Sequence, residues 1–301
     1  MRRREPEQTM SDEVLRIDRG SAGVVPGAAP ALARGLEPDL VPDLVPDLAA
    51  GVARVTLNRP QVLNAFDETL IARLDAAFAQ LDADPEVRVI VLAAHGRAFC
   101  AGADIEWMRR AAANDEPANL IDARRLADML FRIDSCSKPV IARVQGAVYG
   151  GGVGLVCAAD VVVAATSARF CLSEARLGII PAVIGPYLVN AIGARQARRM
   201  ALSCAVVGAD EARAIGLAHD VVPLEQLDAA VERCAADLLK SGPAAMGEIK
   251  RFFSSLVPGP VTASIREHSA RAISSIRASD EAREGFDAFL AKRPPSWTEK
   301  P

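Results

Sequence analysis

The chain has 301 residues, 50% of them apolar and 4% aromatic, with 35 Lys and Arg against 38 Asp and Glu for a net charge of −3. Such apolar content excludes disorder over the whole length, and the near balance of charge excludes a strongly basic, non-specific nucleic-acid binder. No run approaches the ~18 consecutive apolar residues that a membrane-spanning helix requires. Six cysteines (Cys100, Cys136, Cys157, Cys171, Cys204 and Cys234) form no C-x-x-C pair and lie mostly in apolar runs. They read as reduced core residues, not as a disulfide framework or a zinc site.

The basic start, Arg2 to Arg4, is followed by Glu5, Glu7, Asp12 and Glu13 and by no apolar stretch. It reads neither as a secretory signal nor as a transit peptide, and the expected location is the cytoplasm. Residues 1–9 read as an extension without function, with Met10 an alternative start. Pro38, Pro42 and Pro46 recur in a Pro-Asp-Leu repeat. Proline at that spacing removes backbone donors and fixes φ, so the repeat reads as a loosely extended insertion. Val14–Ile17 and Val52–Leu57 read as the two strands of a hairpin around it.

Beyond Asn58 strands and helices alternate. Leu70, Leu74, Phe78 and Leu81 share one face of a helix for which Asp67 is the N-cap. Val87–Leu92, Pro139–Val144 and Asp160–Ala164 read as short buried strands. Ile105 to about Ile133 reads as helical with a break near Pro117. From about Pro181 nearly everything reads as helix. The pattern predicts an α/β core, residues 51–205, after an N-terminal extension, residues 1–50, and before a helical region, residues 206–301.

Two turns of small residues carry the chemistry. One is Arg97-Ala98-Phe99-Cys100-Ala101-Gly102-Ala103-Asp104-Ile105; the other is Gly146-Ala147-Val148-Tyr149-Gly150-Gly151-Gly152. Each follows a strand and leads into a helix, at the end of the sheet where ligands bind. Small residues let a ligand approach the backbone, and the first N–H groups of a helix have no intrahelical partner. Two such donors aimed at one oxygen make an oxyanion hole. Neither segment fits a phosphate-binding P-loop or a dinucleotide fingerprint.

These two turns, followed by Phe170-x-x-x-Glu174-x-x-x-Gly178-x-x-Pro181, resemble the crotonase (enoyl-CoA hydratase/isomerase) superfamily. Asn58-Arg59-Pro60 with Asn64-Ala65 resembles that family's opening signature, and Glu284-Gly285-Phe286 through Lys292-Arg293 its closing helix. The resemblance covers about residues 52–293. It implies a crotonase-like spiral of ββα units with a helical C-terminal trimerisation region, assembled as a homotrimer or a hexamer. It also implies that the backbone N–H groups of Ala103 and Gly151 bind the thioester oxygen of an acyl-CoA and that Glu174 moves protons. Ala65, Ala101, Asp104 and Ile105 fall on substrate-contacting positions, with Asp104 expected to fix its turn by local hydrogen bonds. Tyr149 faces the acyl pocket or simply packs. Phe289 and Lys292 map to the grip on the coenzyme A adenine of a neighbouring subunit, with a solvated surface charge the alternative for Lys292.

The sequence departs from the family at one position above all. A typical hydratase carries a second glutamate three residues after Gly151, where this chain has Gly154. Glycine does no acid–base chemistry, and the missing side chain is expected to leave room for a branched β-carbon or a distal carboxylate. Glu106 stands where a lysine is common. The local text around Gly151 and Glu174 looks most like bacterial methylglutaconyl-CoA hydratases of leucine catabolism. The expected function is therefore hydration of an α,β-unsaturated, branched acyl-CoA such as 3-methylglutaconyl-CoA by an oxyanion hole and one glutamate. Two alternatives stand: an isomerase using one base, and a non-catalytic acyl-CoA-binding protein. No cofactor is expected, coenzyme A entering as part of the substrate. His95, His219 and His268 are too scattered for a metal site. Neither a nucleic acid nor a membrane is an expected partner.

Overall fold

The computed structural model describes residues 14–20 and 48–299. The Pro-Asp-Leu repeat through residue 47, and residues 1–9, lie outside the described residues.

A six-stranded sheet organises the chain. Its strands are β1 (Leu15–Arg19), β2 (Val52–Leu57), β3 (Val89–Ala94), β4 (Val140–Val144), then β6 (Val161–Ala165) and β9 (Asp220–Val222), in that spatial order. β1 runs antiparallel to β2 with Leu15 opposite Leu57, the expected hairpin, and every other pairing is parallel. A second sheet holds β5 (Ala147–Tyr149), β7 (Arg169–Cys171) and β8 (Val207–Gly208).

All six residues of β3 are buried because both faces of the sheet are covered. Alternate side chains divide between two cores. Ile90, Leu92 and Ala94 face the larger one, with Leu70, Leu74 and Phe78 of α1 (Glu68–Ala83). Val89, Val91 and Ala93 face the other, with Leu227, Ala230 and Val231 of α7 (Leu227–Leu239). Asp67 caps α1 as expected, its Oδ1 accepting from the Leu70 N–H at 2.8 Å.

The expected helix after Ile105 is two helices, α2 (Ile105–Ala113) and α3 (Glu116–Ser135). The break falls at Asn114–Asp115 because Asp115 caps α3, which leaves Pro117 in the first turn where its missing N–H costs nothing. α4 (Gly151–Ala158) and α5 (Gly185–Ser203) complete this layer. Four short strands, β5, β7, β8 and β9, were not predicted. Two of them, β8 and β9, lie past Pro181, and β9 closes the main sheet on β6, so the sheet extends beyond the boundary drawn at residue 205. Two- and three-residue strands carry too little periodicity to be read from sequence. The remaining helices are α6 (Ala209–Ala214), α8 (Pro243–Ser254), α9 (Ala263–Arg277), α10 (Asp280–Leu290) and α11 (Ser296–Glu299).

Candidate active site

The two small-residue turns meet. A single parallel bridge pairs Cys100 with Val148, the Cys100 N–H donating to Ala147 O at 3.1 Å and the Tyr149 N–H to Cys100 O at 2.8 Å. The crossing is close, since a Cβ on Gly102 would stand 3.1 Å from the Tyr149 carbonyl oxygen. Gly102 and Gly150 also hold φ at +96° and +51°, a region that penalises any side chain.

This crossing leaves two amides free. Phe66 donates its N–H to Gly102 O at 2.7 Å and accepts from the Asp104 N–H at 2.8 Å. With the groups on either side of Ala103 turned toward Phe66, the Ala103 N–H faces the opposite way. Gly151 is the first residue of α4, so its N–H has no intrahelical acceptor. Neither amide donates to another backbone group among the described residues. Both line one cavity of about 510 Å³, together with Glu174.

A buried polar knot holds the first turn. Asn64, fully buried, donates through Nδ2 to His95 O at 2.8 Å and Ala98 O at 2.9 Å, and its Oδ1 accepts from the Arg59 N–H at 2.7 Å. Arg59 donates to Ala65 O at 2.6 Å and pairs with Asp67 at 2.9 Å and Asp104 at 3.2 Å. The other oxygen of Asp104 caps α2, accepting from Glu106 and Trp107 N–H at 2.9 and 3.3 Å. Asp104 is thus the local brace that was expected. Arg59 and Asn64 entered the sequence reading only as a signature; the lone Asn beside a turn signalled nothing of its three buried bonds.

Glu174 opens a 3₁₀ turn, Glu174–Leu177, directly after β7 and Ser173. Burial pushes its carboxyl above the usual glutamate range, against the opposing pull of the Ser173 and Glu174 amides. Its Oε1 stands 3.2 Å from where a Cβ on Gly150 would be, so the carboxylate sits at the turn crossing. Its Oε2 is buried without a hydrogen-bond partner, as is Nε1 of Trp107 on the same cavity wall. Glu174 is the one side chain with an ordinary titratable group on that wall among the described residues.

The expected opening at Gly154 is absent. A Cβ there would lie 2.4 Å from Cγ2 of Ile184 and 3.5 Å from Cδ1 of Leu130. The space a second glutamate would need is occupied by Ile184, a residue far away in sequence, and no cleft for a branched substituent remains. Ile184 itself lines the cavity.

Of the remaining sequence candidates, Ala101 lines the cavity. Ala65 is buried and serves through its carbonyl, and the wall includes neither it nor Tyr149. Ile105 is 68% exposed and Phe289 82% exposed. Lys292 follows α10 at φ +53°, also exposed. Neither Phe289 nor Lys292 borders this cavity. Sequence reasoning missed the segment from Leu177 to Ile184, which forms a whole wall. The Cys100 thiol is pushed up to about 12 by complete burial, which makes it a packing residue. Among the described residues no cluster of three or more His, Cys, Asp or Glu is placed to hold a metal ion.

An apolar cavity with paired free amides and one desolvated carboxylate is the equipment of an enzyme that stabilises an enolate. Comparison with known proteins agrees. The sequence profile described as enoyl-CoA hydratase/isomerase matches residues 47–300. A Rhodobacter capsulatus protein named "Probable enoyl-CoA hydratase" is 36% identical over 249 residues, spanning 82% of this chain and 95% of its own length. The crystal structure of an enoyl-CoA hydratase from Shewanella pealeana superposes with a TM-score of 0.80 at 40% identity, covering 83% of this chain and 94% of that one. An enoyl-CoA hydratase from Mycobacterium smegmatis gives 0.77 at 34% identity, over 82% and 95% of the two chains. The chain belongs to the enoyl-CoA hydratase/isomerase family, and its fold is the crotonase fold.

Proposed function

We propose that this protein hydrates short, apolar α,β-unsaturated acyl-CoA thioesters with Glu174 as its one acid–base group. The observation that carries this reading is a single desolvated carboxylate sharing a cavity with the free amides of Ala103 and Gly151. Those amides receive the thioester oxygen as negative charge develops on it. Glu174 takes a proton from water as the new C–O bond forms at the β-carbon. The electron pair moves to the thioester oxygen, and the enolate collapses as Glu174 returns that proton to the α-carbon. One carboxylate reaches both positions because the two carbons are adjacent.

The finer reading, 3-methylglutaconyl-CoA in leucine catabolism, rests on local sequence likeness. The cavity wall holds no Lys, Arg or His among the described residues to meet a distal carboxylate, and Arg176 is exposed and outside it. We therefore place an apolar acyl group ahead of it. An isomerase reading has its own support: Ile184 fills the place of a second acid, and moving a double bond needs only one base, which takes a proton from the α-carbon and returns it to the γ-carbon. We propose further that the chain assembles as a homotrimer or hexamer, as exposed Phe131, Phe286, Phe289 and Leu290 favour. No helix among the described residues is long and apolar enough to cross a membrane.

The test is loss of enoyl-thioester absorbance with crotonyl-CoA and 3-methylglutaconyl-CoA in parallel, and its gain with a β,γ-enoyl-CoA. Turnover of crotonyl-CoA ahead of the branched diacid supports the proposal. Turnover of the β,γ-compound alone establishes the isomerase, and silence on all three refutes an enzyme of this class.

A further inference from the structure

Ile184 is 3% exposed and reaches the cavity from the last residue before α5. Its backbone is held in place, its carbonyl accepting from the Leu188 N–H at 3.0 Å and its neighbour Gly185 donating to Ala182 O at 3.3 Å. Pro186 in the first turn of α5 stiffens the same junction. The side chain therefore stands on a fixed support, on the same stretch of chain that carries Glu174.

Its position relative to the paired amides follows from helix geometry. Gly154 lies three residues beyond Gly151 on α4, about 4.5 Å of helix rise and on the same face. Gly151 offers one of the two amides to the thioester oxygen. A side chain at position 154, one turn along α4 from that amide, would meet Cγ2 of Ile184, and Ile184 lines the cavity that holds the amide. Gly154 and Ile184 are thus a complementary pair: one gives up its side chain, the other takes the volume.

We propose that Ile184 sets the length of acyl chain the cavity accepts, as a specificity-determining residue that ends the pocket within a few carbons of the thioester. This inference rests on the acyl-CoA reading above but not on whether the reaction is hydration or isomerisation. Truncation to alanine removes three carbons, Cγ1, Cγ2 and Cδ1, and opens the pocket toward Gly154 and Leu130. Room for two further methylenes, at roughly fourfold in affinity each, amounts to about a sixteenfold gain for the longer chain.

The experiment measures binding of saturated butyryl-, hexanoyl-, octanoyl- and decanoyl-CoA to the full chain by calorimetry, which requires no turnover. The Ile184→Ala variant is expected to shift the tightest-binding length upward by about two carbons and to raise the octanoyl-to-butyryl affinity ratio at least tenfold over the unsubstituted protein. An unchanged ratio, or a uniform change across all four, overturns the proposal while leaving the acyl-CoA reading intact. Failure of the unsubstituted protein to bind any of them overturns both. The shared volume is tested separately by urea denaturation. Gly154→Ala is expected to destabilise or prevent folding when Ile184 is present, to cost less in the Ile184→Ala background, which removes the 2.4 Å contact but keeps the Ile184 Cβ at 3.0 Å, and to be tolerated in the Ile184→Gly background. Equal effects in all three backgrounds overturn the claim that the two positions compete for one space.

Discussion

Asn64 gives the sharpest test of how this cavity is held together. Replacing it by alanine removes three hydrogen bonds at once: those to His95 O and Ala98 O, and that from the Arg59 amide. The residue is fully buried, so water does not replace them without rearrangement. At about 1 kcal/mol net for each bond, the loss is about 3 kcal/mol. Asn64 also sits at φ +56°, where alanine adds a further penalty of about 1 kcal/mol. The sum, about 4 kcal/mol, lies at the upper end of single-site effects and corresponds to a fall in Tm of about 6 °C for a chain of this size. Asn64→Gly separates the two contributions, because glycine accepts the positive φ and loses only the hydrogen bonds. Urea denaturation at equal chain concentration reads both, and kcat with crotonyl-CoA reads the catalytic consequence. Residues 95–98 lead directly into the turn that carries the Ala103 amide, so kcat is expected to fall more than KM rises. A stability loss below about 1 kcal/mol with kcat unchanged would refute the claim that Asn64 braces this turn.

Other tests address single groups. Glu174→Gln should abolish turnover while acyl-CoA binding persists; retained turnover sinks the assignment of Glu174. Burial raises the folded-state pKa of Glu174, so its ionised form is disfavoured in the native protein and its replacement by Gln should stabilise the fold near neutral pH. That gain should vanish below the unfolded-state pKa of about 4.3, where Glu174 is protonated in both states. For the same reason kcat/KM should rise with pH through an apparent pKa above the ordinary glutamate value, and a profile flat from pH 4 to 7 contradicts the role of Glu174 as base. Arg59→Met leaves the carboxylates of Asp67 and Asp104 without their shared cation and should cost about 3 kcal/mol in denaturant titration. Thiol labelling at pH 8 should spare Cys100, Cys136 and Cys157, each pushed up to about 12 by burial, until the chain is unfolded. Rapid labelling of Cys100 in the native protein would show the turn to be looser than described.

Much of the site was legible in the sequence because its parts are local. The caps made by Asp67 and Asp104 and the positive φ of Gly102 and Gly150 are each properties of a few neighbouring residues, and their spacing declares it. So does the alternation that buries β3 between two helical layers. What local text does not contain is which distant residue occupies a given volume. Gly154 read as an opening because sequence shows only the side chain that is missing. Folding brings Ile184, thirty positions on, into that space, since a close-packed interior does not leave a void of that size beside a buried helix. The bonds of Asn64 and the strand β9 were hidden for the same reason: their partners, at Ala98 and on β6, are set by the tertiary fold. The sequence by itself determined the backbone turns and the one carboxylate, and only the packing of remote segments decided the shape of the pocket that carboxylate serves.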